Sequence, residues 1–100
     1  MKINLKASKF ELTAPISEYC QMKMDMLDKY LGDIPVINCD MEIAKTVGGQ
    51  NKGDIFRAEV NLEVPRKLLR VEKTAADLYK AIDKVKDHLE IVIKKYKEKR

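Results

Sequence analysis

The segment that most constrains the fold is the last quarter of the chain. Leu78, Ile82, Val85, Leu89, Val92, Ile93 and Tyr96 recur at three- and four-residue spacings. On a helix that spacing makes one apolar stripe with a charged remainder. Such a helix is stable only on another apolar surface. The rest of the chain offers that surface as strands. Ile3, Leu5 and Ala7 alternate with Lys2, Asn4 and Lys6 over 2–7. Ile37, Cys39, Met41 and Ile43 alternate with Asn38, Asp40, Glu42 and Ala44 within 36–45. Phe56, Ala58, Val60, Leu62 and Val64 alternate with Arg57, Glu59, Asn61 and Glu63 within 54–64, and Leu69 and Val71 face inward over 68–73. A period of two gives each strand one apolar face, so the four form a sheet with one covered side.

A second helix completes the cover. Thr13 is a good N-cap, Pro15 suits the first turn, and Gly32 suits the position after a helix that runs to about Leu31. Ile16, Cys20, Leu27 and Leu31 form its stripe, flanked by Tyr19, Met24 and Tyr30. The stretch TVGGQNKG (46–53) reads as a hairpin connection and Pro65-Arg66-Lys67 as a short turn. Thr74 to Asp77 form a capping-box-like start for the last helix, which runs to about Lys97. The order β-α-β-β-β-α predicts an α+β two-layer sandwich: a four-stranded sheet with two helices on one face, and a single domain over 1–100.

The chemistry expected of an enzyme is not visible. His88 is the only histidine, and Ser8 and Ser17 have no evident base partner. Cys20 and Cys39 match neither a redox pair nor a zinc spacing and are expected to be buried free thiols. The glycines of 46–53 lack the strand-loop-helix setting and Lys-Ser/Thr ending of a phosphate loop. No catalytic residue, metal, cofactor or small-molecule substrate is therefore expected. No apolar run approaches the ~20 residues of a membrane span, and the N-terminus has no signal-peptide core, which points to a cytoplasmic protein away from membranes.

Charge is unevenly placed. Residues 66–100 hold twelve Lys/Arg against six Asp/Glu, a balance of +6, while residues 1–65 hold eight against ten, a balance of −2. Helical projection puts Lys80, Lys84, His88, Lys95 and Lys99 on one flank of the last helix. Lys86 and Lys97 fall on the other, with Tyr79 and Glu90. Arg66, Lys67, Arg70 and Lys73 immediately precede this helix. Two readings stand: a solvated lysine face that keeps the protein soluble, or a polyanion-binding surface. The open sheet face carries Asn38, Asp40, Glu42, Glu59, Asn61 and Glu63 without an exposed aromatic pair, so any RNA contact falls to the helices. On the first helix Lys23 either snorkels over apolar surface or reaches a ligand, and Lys29 adds a second cation.

The segments FELTAPISEYCQMKMDMLDKYL (10–31) and RAEVNLEVPRKLLRVEKTAADLYKAID (57–83), with the lysine-rich tail, resemble the ribosome hibernation promoting factor family. The same family is known as ribosome-associated inhibitor A or the sigma-modulation family. The most specific pieces are ELT before the first helix and Asp77, Tyr79, Ala81, Ile82 and Asp83. The resemblance implies the same β-α-β-β-β-α sandwich, similar to double-stranded-RNA-binding domains. It implies binding to the small ribosomal subunit near the A and P sites, through ribosomal RNA and proteins, and silencing of translation under stress. Lys23 and Lys95 match basic positions of the family. Ser17, Met26, His88 and Ile91 depart from it, where relatives often carry Lys or Arg, and Lys80, Lys84 and Lys86 offer charge elsewhere. The expected RNA-binding set is Lys23, Lys29, Arg66, Lys67, Arg70, Lys80, Lys84, Lys86, His88 and Lys95. The chain resembles either a short-form member or the N-terminal domain of a longer one. The alternatives are a general structured-RNA-binding domain and a protein-interaction module that meets an acidic partner.

Overall fold

In the computed structural model, which describes residues 1–46 and 55–99, the alternating segments are strands β1 (Asn4–Ser8), β2 (Asn38–Lys45), β3 (Phe56–Val64) and β4 (Lys67–Ala75). They form one sheet in the order β1-β2-β3-β4; β1 runs parallel to β2, and the other neighbours are antiparallel. A parallel pair needs a crossover connection. Helix α1 (Ala14–Asp25) and the single turn α2 (Asp28–Leu31) provide it, and α3 (Leu78–Glu98) follows β4. The helices lie on the apolar side of the sheet, with α3 over β3 and β4. Cys20, Met24 and Leu27 from the first helical segment join Ile82, Val85 and Leu89 of α3 and Met41, Ile43, Val60 and Leu62 of the sheet in one core. This is the α+β sandwich that the patterning predicts. Both cysteines are free and buried, and burial pushes each thiol up to about 11.

The departures have tertiary causes. The first helix is not continuous to Leu31. At Met26 and Leu27 the backbone ψ is −16° and −15°. The amides of Leu27 and Tyr30 donate three residues back, to Met24 and Leu27, at 3.0 Å each. That is a 3₁₀ tightening, and it keeps Met24, Leu27 and Leu31 all on the core side. Met24 is fully buried rather than flanking, and Ile16 is only partly covered. Gly32 ends the segment at φ 60°, a dihedral that suits glycine.

β4 is longer than its own pattern suggests, because β3 pairs with it along its whole length, from Phe56↔Ala75 to Val64↔Lys67. Thr74 is therefore a strand residue. Asp77 is the N-cap of α3, its carboxylate accepting from the Tyr79 amide at 2.7 Å. Ile37, expected to face the core, is 58% exposed. Its amide still donates to the Glu63 carbonyl at 2.8 Å, but it lies beyond the register of β1, which begins opposite Asp40. Apart from Thr46, the connection expected over 46–53 lies outside the described residues, as do Asp54 and Arg100.

The pairing of Val64 with Lys67 leaves Pro65 and Arg66 as a two-residue turn. Arg66 has φ 69°, the sign that the second central residue of a type II turn requires and that glycine or asparagine ordinarily supplies. The Tyr96 hydroxyl donates to the Pro65 carbonyl at 2.8 Å and ties the turn to the end of α3. A non-glycine residue there costs about 1 kcal/mol, and the larger unfolded-state freedom of glycine offsets part of that on substitution. Arg66→Gly is therefore expected to raise stability by roughly 0.5 kcal/mol and Arg66→Val to lower it. Urea unfolding measures both; a lower midpoint for the glycine variant would show that the turn depends on the arginine side chain.

Candidate nucleic-acid interface

The basic residues sort into four surfaces, and strand and helix periodicity decides which. On β4, Leu69 and Val71 are buried, so Arg70 between them points to the open side of the sheet. There it meets Glu59 at 2.5 Å and Glu72 at 3.9 Å. Arg57 from β3 joins Glu42 at 3.1 Å, Glu59 at 3.3 Å and Glu72 at 3.7 Å. The Ser8 hydroxyl donates to Glu42 at 2.8 Å and, with Arg57, holds that carboxyl below its ordinary range. The open face thus holds two arginines within an acidic cluster. Arg70 does not extend the helical basic surface as its place in the sequence suggests.

The groove between the first helical segment and α3 contains the second group. Lys23 does more than snorkel: its ammonium lies 3.2 Å from Asp83 and 5.4 Å from the centre of the Tyr19 ring. The Tyr19 hydroxyl also donates to Asp83, at 2.5 Å, and that bond pushes its pKa up to about 12. Tyr79 packs edge-on against Tyr19 with ring centres 4.7 Å apart. Further along, Lys29 and Lys94 each lie 5.2 Å from the centre of the Tyr30 ring, within cation–π range. Lys97 donates to the Tyr30 carbonyl at 2.9 Å. Lys86 is buried, paired with Glu90 at 2.5 Å and Asp87 at 3.4 Å. Glu90 keeps the Lys86 ammonium charged beyond its usual range, and Lys86 holds the Glu90 carboxyl below the usual 4.5. Lys86 is thus occupied within the fold rather than standing free on its surface.

The third group lines the groove between α3 and β4. Lys84 and His88 face Lys73 and Thr74 there, with Glu72, Asp87 and the exposed Ile91 nearby. Lys84 donates to the Thr74 carbonyl at 3.2 Å. Nδ1 of His88 is buried with no hydrogen-bond partner among the described residues.

The fourth group is exposed and has no ion pair among the described residues. It includes Lys80 and Lys95 on the outer flank of α3, and Arg66, Lys67 and Lys99 at the hairpin end, besides Lys2, Lys6, Lys9 and Lys45 away from α3. Lys80 and Lys95 are about 22 Å apart along the helix axis. Of the ten candidates, Lys80, Lys95, Arg66 and Lys67 are open cations, Lys84 and His88 share one groove, Lys23 is paired across to α3, Lys86 is paired within α3, Lys29 lies exposed over the neighbouring Tyr30 ring, and Arg70 stands on the opposite face. Sequence reasoning set Lys99 on the outer flank but outside the candidate set. Its place three residues after the stripe residue Tyr96 is the signal that brings it to the hairpin end.

Residues 3–100 match the family described as "Sigma 54 modulation protein / S30EA ribosomal protein". The chain is 33% identical over 93 residues to the "Ribosome hibernation promotion factor" of Deinococcus radiodurans, covering 93% of this chain and 47% of the relative. It is 32% identical over 97 residues to the protein of the same name from Lactococcus lactis subsp. cremoris, covering 97% of this chain and 50% of the relative. It therefore spans about half the length of these two relatives. Among solved structures it resembles the Thermus thermophilus Protein Y N-terminal domain, with TM-score 0.79 and 32% identity over 96% of this chain and 99% of the other. A ribosomal subunit interface protein from Coxiella burnetii shares the fold at TM-score 0.80 and 19% identity, over 98% of this chain and 99% of the other.

Two measurements check the inter-helix groove. Lys86→Glu places three carboxylates together and is expected to cost roughly 2–3 kcal/mol in urea unfolding. In the wild type the Glu90 contribution is present above the ordinary carboxylate pKa, because the folded pKa is depressed, and is lost as pH falls through that folded value. Stability should thus decline below about pH 4.5, and Glu90→Gln should flatten that part of the curve. Tyr19 should ionise about two pH units after an ordinary tyrosine, so ultraviolet titration of Tyr19→Phe should lose the tyrosinate step near pH 12, while Tyr30, which Glu90 also raises, keeps its own late step. An unchanged step near pH 12 would assign it elsewhere.

Proposed function

The chain belongs to the sigma 54 modulation protein / S30EA ribosomal protein family, and on that premise we propose that it is a ribosome hibernation factor. In this reading residues 1–100 are a single ribosome-binding domain. It acts in the cytoplasm on the small subunit near the A and P sites, where it excludes mRNA and tRNA and silences translation without catalysis. The names of its relatives and its sequence similarity support the ribosomal part.

One observation carries the choice of surface. The sheet face neutralises its own arginines, whereas Lys80 and Lys95 leave their charge open along the outer flank of α3. An ammonium on a long flexible stem is a point charge. It meets phosphate oxygens without reading bases. A surface built this way recognises the shape and charge of folded RNA, which ribosomal RNA supplies.

Pelleting with purified ribosomes at two salt concentrations tests this. The wild-type chain should co-sediment with small subunits and be released as salt rises, through counterion release. Lys80, Lys84 and Lys95→Glu together should lower affinity more than about tenfold and reduce the salt slope by about three. Lys86 is left unchanged, since its reversal would damage the fold. A triple variant that pellets as well as wild type would exclude the α3 flank as the contact.

A further inference from the structure

At the far end of α3, the Pro65–Arg66 turn, the last helical turn and the loop after α2 bound a cavity of about 530 Å³. That is within the range of small-molecule pockets. Pro35, Pro65 and Tyr96 give it an apolar floor, and Arg66, Lys67 and Lys99 stand at its rim. None of these three cations forms an ion pair with a described residue, although most arginines and groove lysines elsewhere are held by carboxylates, rings or carbonyls. Arg66 is held at φ 69°, where glycine would cost less. The turn that requires this dihedral also sets Arg66 in the lining of the cavity. The hydrogen bond from Tyr96 to Pro65 fixes floor and rim relative to each other.

An inorganic anion would use the rim and leave the floor bare. A purely apolar ligand would use the floor and leave three cations unmatched. A ligand with a flat ring and an anionic group uses both. We propose that this cavity takes one nucleotide unit, its base stacked on Tyr96 and the prolines and its phosphate on Arg66, Lys67 and Lys99. The inference rests on the ribosomal reading only for the source of that unit, which is either a nucleotide of an RNA strand or a free one.

The test is titration of the isotope-labelled full chain with AMP, a short oligoadenylate RNA and inorganic phosphate, followed by amide chemical shifts. AMP should move the amides of Arg66, Lys67, Tyr96 and Lys99, and phosphate should bind about tenfold more weakly. Arg66→Gly should weaken AMP binding about tenfold. Lys9→Gly relieves the same kind of positive φ, 72°, away from the cavity and should change nothing. Oligoadenylate binding more than about tenfold tighter than AMP assigns the site to an RNA strand, and equal binding assigns it to a free nucleotide. Silence of those four amides with both probes, or an unchanged affinity in Arg66→Gly, overturns the proposal. Ribosome pelleting in parallel separates the two readings. Pelleting with a silent cavity removes only this one; AMP shifts without pelleting remove only the ribosomal one.

Discussion

A sheet with one apolar face exists in water only if something covers that face, and the seating of α3 over β3 and β4 is the contact on which the rest depends. Ala81, Ile82, Val85, Leu89 and Ile93 are wholly excluded from solvent, and so are Ala58, Val60 and Leu62 beneath them. Burial of this kind gives about 25 cal/mol for each Å² of apolar surface removed from water. That seating also aims every other side of the helix. With the stripe facing down, Asp83, Lys86 and Glu90 turn toward the first helical segment, Lys84 and His88 turn toward β4, and Lys80 turns to solvent. One packing decision thus determines which cations are consumed by the fold and which remain available.

The consumed and available charges do different work. Lys86–Glu90 and Lys23–Asp83 lie in partly desolvated settings; the first is an i,i+4 pair within α3, and the second joins α1 to α3. The open cations lie where water screens them, so they add little to stability and are free to meet an anion. This division makes the open flank a surface that can be altered without loss of the fold.

Much of this was legible in the sequence. The period-two runs give the strands and their buried faces, and the stripe from Leu78 to Tyr96 gives α3 and both of its flanks. What was not legible depends on partners distant in sequence. The end of β4 is set by the reach of β3, so Thr74 reads as a cap until Phe56↔Ala75 is known. The break at Met26 and Leu27 has no proline or glycine to mark it; it answers the demand for Met24 and Leu27 to share one core. Arg70 looked continuous with the basic helix because sequence adjacency hides which face of a strand a residue takes. Lys86 shares its flank with Glu90 four residues on, as the projection has it, but its burial is evident only in the folded molecule. The candidate site was therefore legible as a charge excess, and less so as a set of free cations.

β4 lies at the margin of the sheet, so one side of its backbone meets no strand among the described residues. Nine residues of unpaired edge would ordinarily invite a strand from another chain. Lys67 and Lys73 are spaced along this one on the face that carries Leu69 and Val71, and an antiparallel pairing of two copies centred on Arg70 would set Lys67 of one against Lys73 of the other. The lysines that flank the buried residues of β4 therefore also disfavour edge-to-edge pairing of two copies.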